Sequence, residues 1–190
     1  MESSSSAPTT NLNYKLCNIV YSAKLSGKID IHLLETMLAD TKISGRNSSI
    51  HIRRDYGSFL LQKSGRVLIF KCFSQEKVNS ALGKLLVELY DLMTDVNIAS
   101  EPVVCNMVGN FNLGYRMNLG KLSLMIKCEY EPDLHVSLFT VVRKTKVTIT
   151  HTGKCIIFGA KTVSDFEDSV RRLIDIGQYY QEHHEDVVLH

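Results

Sequence analysis

The side chains of this chain best able to hold a metal or act as nucleophiles are five cysteines and seven histidines, and their spacing excludes most such chemistry. Cys17, Cys72, Cys105, Cys128 and Cys155 never fall into a CxxC or another zinc-ligand pattern. An odd count without a leader-like apolar stretch reads as buried free thiols in a reducing compartment. His183 and His184 stand among acids near the end of the chain and read as a solvated terminus. No histidine sits in a nucleophile–base motif, and there is no phosphate loop, nucleophile elbow or HExxH. The expected catalytic residues, cofactors and bound metals are therefore none. The chemistry left to the chain is recognition by amides, charges and apolar surface.

The residues that could do this recur at a fixed interval. Leu16-Cys17-Asn18-Ile19-Val20 returns as Val104-Cys105-Asn106-Met107-Val108. Lys28-Ile29-Asp30-Ile31 returns as Arg116-Met117-Asn118-Leu119, and Ser64-Gly65-Arg66-Val67-Leu68-Ile69-Phe70 as Thr152-Gly153-Lys154-Cys155-Ile156-Ile157-Phe158. Every pair is 88 residues apart. Three blocks at one offset point to a duplicated unit and a pseudo-twofold arrangement.

Each copy needs the same elements to position these residues. A strand comes first, about 16–25 and again 104–113. A short amphipathic helix follows, with Ile31, Leu34 and Leu38 on one face. Strands are expected near 48–54, 57–63 and 66–73, turning at Asp55-Tyr56-Gly57-Ser58 and Lys63-Ser64-Gly65. A longer helix closes each copy, with Val78, Leu82, Leu85, Leu86 and Leu89 as one stripe and Phe166, Val170, Leu173 and Ile174 as the other. Ser74 and Ser164 occupy the expected N-caps, the second with Glu167 in capping-box position. The outline β-α-β-β-β-α leaves one sheet face covered and the other open.

In these residues the chain resembles the TATA-box-binding protein (TBP) family, over about residues 14–180. The paired Asn-Ile-Val and Asn-Met-Val-Gly, the Ser-Gly-Arg and Thr-Gly-Lys turns, Tyr130-Glu131-Pro132-Asp133-Leu134 and Gly159-Ala160-Lys161 are similar to family motifs. The resemblance implies an α+β TBP-like saddle, two pseudo-symmetric repeats of an antiparallel sheet with helices on the convex face. It implies that Asn18 and Asn106 donate to minor-groove acceptors of A·T pairs, with Val20 and Val108 making apolar contact beside them. Arg53, Arg66 and Lys154 match phosphate-holding positions. Leu68, Ile156, Phe70 and Phe158 match the floor of the DNA-binding face. Glu131, Asp133 and Leu134 match a loop that docks a TFIIB-type factor.

The chain also departs from the family pattern. The family kinks DNA with two pairs of phenylalanine wedges, and those positions align here with Asn47, Gln62, His135 and Thr150. Phe70 and Phe158 stand where the floor usually carries threonine. Thr-Gly-Ala-Lys in the first half has become Phe70-Lys71-Cys72-Phe73, and the hairpin of each half is about two residues shorter. The loop around Thr41–Gly45 lacks the docking motif of its second-half equivalent. Weaker bending and weaker TATA preference follow, with Phe70 and Phe158 as replacement wedges.

Charge and composition agree with a local binding face. Residues 1–100 hold 12 Lys/Arg against 9 Asp/Glu, a balance of +3, and residues 101–190 hold 10 against 11, a balance of −1. No apolar run approaches a membrane span, and the Asn47-Ser48-Ser49 sequon carries weight only in a secreted protein. The expected organisation is a disordered Ser-rich tail at 1–13, repeats at 14–100 and 101–182, and an acidic, histidine-containing tail at 183–190. The expected function is a general transcription factor that binds double-stranded promoter DNA in the minor groove. Its expected partners are a TFIIB-type factor, a TFIIA-type factor and RNA polymerase, in the nucleus or in a viral factory. Two rivals stand beside it: a scaffold of the same fold that binds no DNA, and an enzyme of the kind in which related saddle halves occur.

Overall fold

The computed structural model describes residues 12–44 and 48–188. Among these the chain is an α+β fold. In order it forms β1 (Tyr14–Leu25), α1 (Ile31–Met37), β2 (Thr41–Ser44), β3 (Ser49–Arg54), β4 (Gly57–Gln62), β5 (Arg66–Phe70) and α2 (Gln75–Tyr90). It continues with β6 (Ile98–Asn112), α3 (Leu119–Met125), β7 (Ser137–Val142), β8 (Thr145–Thr150), β9 (Lys154–Ala160) and α4 (Val163–His183). Its contacts separate two compact units. The first is Leu16–Val108 with Phe158–Thr162. The second takes residues up to Lys15, Gly109–Ile157 and the chain from Val163 onward. The borders fall inside β1, β6 and β9 rather than at the repeat boundary near residue 100.

In the first unit the strands run β2-β3-β4-β5-β1, with β6 beyond β1. β1 with β5, β3 with β4 and β4 with β5 pair antiparallel, with Ser22 opposite Leu68, Leu60 opposite Leu68, and His51 opposite Leu60. Alternate residues point to opposite faces. Ile50, Ile52, Phe59, Leu61, Val67 and Ile69 are fully buried on one face. Against them lie Ile31 and Leu34 of α1 and Val78, Leu82, Leu85 and Leu89 of α2. Each such side chain contributes about 1.5–3 kcal/mol by leaving water. Asp30 caps α1 by accepting from the His32 and Leu33 N–H groups. Those bonds, the Leu33 one foremost, hold its carboxyl below the usual range. Asn118, 88 residues on, caps α3 by accepting from Lys121 N–H.

Ser74 caps α2 as expected. Ser164 does not cap α4, which begins one residue earlier at Val163 and takes Ser164 into its first turn. The segment expected as a loop around Thr41 is strand β2, because Thr41 and Ile43 alternate in step with Ile52 and Ile50 of β3; Gly45 lies outside the described residues.

The β3–β4 hairpin turns on Asp55-Tyr56 and is tied to α2 by one carboxylate. Glu88 takes two hydrogen bonds from Arg54 Nε at 2.9 and 3.1 Å, an ion pair with Arg54 Nη2 at 2.8 Å, and the Tyr56 hydroxyl. Burial pushes the Glu88 carboxyl up, but the bonds from Arg54 and Tyr56 outweigh it and leave it lowered. Burial and the same hydrogen bond push the Tyr56 phenol well above its ordinary value.

In the second unit β7 and β8 pair antiparallel, with Ser137 opposite Thr150, and β9 lies beyond β8. Leu138, Val147, Ile149, Cys155 and Ile157 are buried, as are Phe166, Val170 and Leu173 of α4. Gly109 of β6 has no room for a side chain: a Cβ there would lie 2.6 Å from the Phe166 ring and 2.7 Å from Lys15 O. The stripe of α4 runs on through Ile176, Gly177 and Tyr180 rather than Ile174. The Tyr180 hydroxyl accepts from Asn118 N–H at 2.8 Å. His183 ends α4, and His183 and His184 stack on Tyr179 and Tyr180, so the tail expected from residue 183 begins as packed structure.

Glu88→Ala is expected to cost about 2 kcal/mol in denaturant unfolding, since it leaves Arg54 and Tyr56 without their acceptor. Because the folded carboxyl is lowered, its contribution is complete above the unfolded carboxylate range and is lost as pH falls through the folded value. The gap between wild type and Glu88→Gln should therefore close on acidification.

Candidate nucleic-acid interface

Opposite the helices, the sheet of the first unit carries a face that no helix covers. On β1 it presents Asn18, Val20, Ser22 and Lys24, on β5 Arg66, Leu68 and Phe70, and on β4 Ser58, Leu60 and Gln62. On β3, Arg53 pairs with Ser58 and is exposed. Asn18, Leu68 and Phe70 are half-buried, whereas Val20 is only 7 % exposed and has little surface to present. Arg66 is exposed and donates from Nε to Ser22 Oγ at 3.1 Å, which aims its terminal nitrogens outward.

β6 continues this pattern. Asn106 and Val108 are half-buried and alternate with buried Met107 and Gly109. Asn106 Oδ1 accepts from Gly159 N–H at 2.8 Å. The acceptor end of the amide is thereby engaged, and its two N–H donors remain for a ligand. Gly159 reaches this position with φ +96°. Its equivalent 88 residues earlier is Lys71, which adopts φ +66° although it carries a side chain. No comparable bond holds the Asn18 amide among the described residues. Phe158, next to Gly159, is half-buried like its counterpart Phe70.

In the second unit the uncovered face includes exposed Lys154 and Ile156 on β9, Thr148 and Thr150 on β8, and Phe139 and Val141 on β7. Glu131, Asp133 and Leu134 occupy an exposed turn closed by bonds from Leu134 and His135 N–H to Glu131 O. Leu134 is 71 % and Val136 83 % exposed. Of the aligned wedge positions, Thr150 is tied to Thr152 and Lys154 O, Gln62 is half-buried, and Asn47 lies outside the described residues. His135 is exposed and meets Phe139 edge-on at 5.3 Å between ring centroids. Phe139 is an aromatic group on the open face that sequence reasoning missed. Its signal was available in the alternation of Ser137, Phe139 and Val141 against buried Leu138 and Thr140. Among the described residues no cluster of metal-ligating side chains occurs.

Residues 101–179 match the family model described as "Transcription factor TFIID (or TATA-binding protein, TBP)". The TATA-box-binding protein of Methanocaldococcus jannaschii is 28 % identical over 174 residues, 88 % of this chain and 95 % of that protein. That of Pyrococcus horikoshii is 26 % identical over 172 residues, covering 87 % and 90 %. The solved structure of Methanococcus jannaschii TBP superposes with a TM-score of 0.72 at 25 % identity, covering 87 % of this chain and 98 % of that one. Over most of its length the chain is similar to TATA-box-binding proteins. The matching family model is that of a transcription factor. The relatives named are archaeal, from cells without a nucleus, so the likeness chooses no compartment.

The left-handed position beside the asparagines yields a test. A side chain there costs about 1–2 kcal/mol, part of which glycine gives back through the unfolded chain. Lys71→Gly is expected to raise unfolding stability by about 0.5–1 kcal/mol, measured by denaturant titration. Cysteine labelling checks the burial. Burial pushes the Cys155 thiol up to about 12 and raises that of Cys72, so both should resist alkylation in the native protein while exposed Cys17 reacts.

Proposed function

We propose that this chain is a sequence-tolerant TBP-like general transcription factor. It binds promoter DNA through the minor groove with the uncovered face of its sheet, and recruits a TFIIB-type factor and RNA polymerase. The observation that carries this reading is the Asn106 amide, held by Gly159 N–H so that only donors remain on a face floored by Leu68 and Phe158 and flanked by Arg66. Minor-groove A·T pairs offer acceptors alone, and fixed donors over an apolar floor suit them. Arg53, Arg66 and Lys154 add salt-dependent attraction without reading sequence. Glu131, Asp133 and Leu134 offer acids around an exposed apolar side chain, which suits a basic partner surface.

One observation favours a second reading, a scaffold that binds no DNA. Gln62 and Thr150 offer no aromatic edge to insert between bases, and the Thr150 hydroxyl is already bonded within its own turn. Under the first reading, Phe70 and Phe158 supply apolar pressure from the floor, with a smaller bend.

Fluorescence anisotropy on TATA-containing and scrambled duplexes at two salt concentrations, with and without a TFIIB-type partner, separates the readings. The DNA-binding reading expects a TATA preference that Asn106→Ala reduces by up to about tenfold. Arg66→Gln should lower the salt slope by about one. Phe70→Ala with Phe158→Ala should reduce the bend measured by energy transfer between duplex ends. Binding to neither duplex at low salt, even with the partner, leaves the scaffold reading standing.

A further inference from the structure

The two repeats differ on the helix side of the second unit. In the first repeat, the corner between α1, β3 and α2 is filled by the ion pair of Arg54 with Glu88, and Arg54 Nη1 also donates to Ala39 O at 2.9 Å. The residues 88 positions later are Val142, Ile176 and Lys127. Two short apolar side chains thus stand where a long ion pair stood. A groove of about 600 Å³ opens at that place, between the end of α3, the end of β7 and α4. Met125 and Ile176 line it together with Lys127, Arg143 and Arg172.

The edge of the sheet differs in the same sense. In the first repeat β2 covers β3, and the last outward N–H, that of Arg53, donates to Asp40 O at 3.1 Å. In the second repeat the strand equivalent to β2 is reduced to a bridge between Glu129 and Phe139, since Pro132 and the turn at Glu131 take the chain away. β7 is the last strand of its sheet, and its partner β8 lies on its other side. Antiparallel alternation puts the N–H and C=O of Val141 on the same outer side as those of Phe139. Phe139 is paired there, and among the described residues Val141 is not. An uncovered strand end beside an open groove is a template for an added strand.

Charge selects the occupant. Arg172 pairs with Asp175 at 3.6 Å, while Lys127 and Arg143 have no carboxylate within ion-pair distance among the described residues. Three cations face one acid around the apolar side chains of Met125, Val142 and Ile176. Nucleic acid fits poorly, since a phosphodiester linkage has no donor for a strand's C=O and would meet Asp175. We propose that the β7 edge and its groove bind an extended acidic segment of a partner protein, with acidic and apolar side chains alternating.

The test uses the full chain and a fluorescein-labelled peptide of about nine residues alternating Glu and Val, long enough to span the edge. The expected result is saturable, salt-sensitive binding, with slower hydrogen exchange at the Val141 amide. Lys127→Glu with Arg143→Glu, both exposed, should weaken it at least tenfold. Val142→Arg with Ile176→Glu, which imports the plug of the first repeat, should abolish it. The same peptide with Lys in place of Glu should not bind. Absence of saturable binding, or binding indifferent to both variants, overturns the proposal. So does a duplex that displaces the peptide and is itself weakened equally by the charge reversal, which would make the groove a nucleic-acid contact. Binding of the wild type to duplexes reads the sheet face separately, so the two proposals fail independently.

Discussion

Helices cover only one face of the strands, and most other features of the molecule follow from that asymmetry. Every strand must then alternate, sending Val67 and Ile69 or Cys155 and Ile157 to a dry side and Arg66, Leu68 and Phe70 or Lys154, Ile156 and Phe158 to a wet one. A shift of one residue would exchange the two sets and bury charge. The turn glycines Gly65 and Gly153 hold that register. Both have positive φ, and a Cβ at either would run into the carbonyl oxygen of Leu25 or Tyr115. The uncovered face is left available for a ligand by the architecture itself, before any individual side chain is considered.

The two repeats act as mutual controls within one chain. Where they agree, in the capping by Asp30 and Asn118 and in the paired turns, the residues serve the fold. Where they differ, one copy has been released from a constraint that the other keeps. Lys71 tolerates a backbone conformation that Gly159 adopts without strain. The Glu88 carboxylate binds a hairpin to a helix in one copy, and the same corner in the other is lined by aliphatic side chains. Such divergence gives two similar units different surfaces without altering the core on which both depend.

Under the proposed function, the asparagines and turn glycines keep the geometry that groove binding needs, while the missing aromatic wedges relax its mechanics. Donors fixed over an apolar floor cost nothing to reorganise when a ligand arrives. Wedges act by deforming the duplex, and their energetic return depends on how far the DNA must bend. The aromatic groups that remain on the open faces, Phe70, Phe139 and Phe158, sit within strands rather than at hairpin tips.

Sequence alone was enough for the repeat at a constant offset, most of the strand–helix order and most of the two apolar stripes, because periodicity and self-similarity can be read without knowing the contacts. It also placed Asn106, Arg66 and the Glu131–Leu134 turn on exposed or half-exposed positions, since alternation along a strand needs no knowledge of its neighbours. Other features depended on partners distant in the chain. The burial of Val20, the bond from Gly159 to Asn106, the strand character of Thr41–Ser44 and the packing of His183 and His184 on tyrosines all arise from contacts with other residues that no window of sequence displays. The start of α4 at Val163 was equally hidden, because serine suits both an N-cap and a first turn. The groove beside β7 is the extreme case. It exists because Val142 and Ile176, unremarkable as apolar residues, meet in a corner that only the tertiary structure defines, and are too short to fill it.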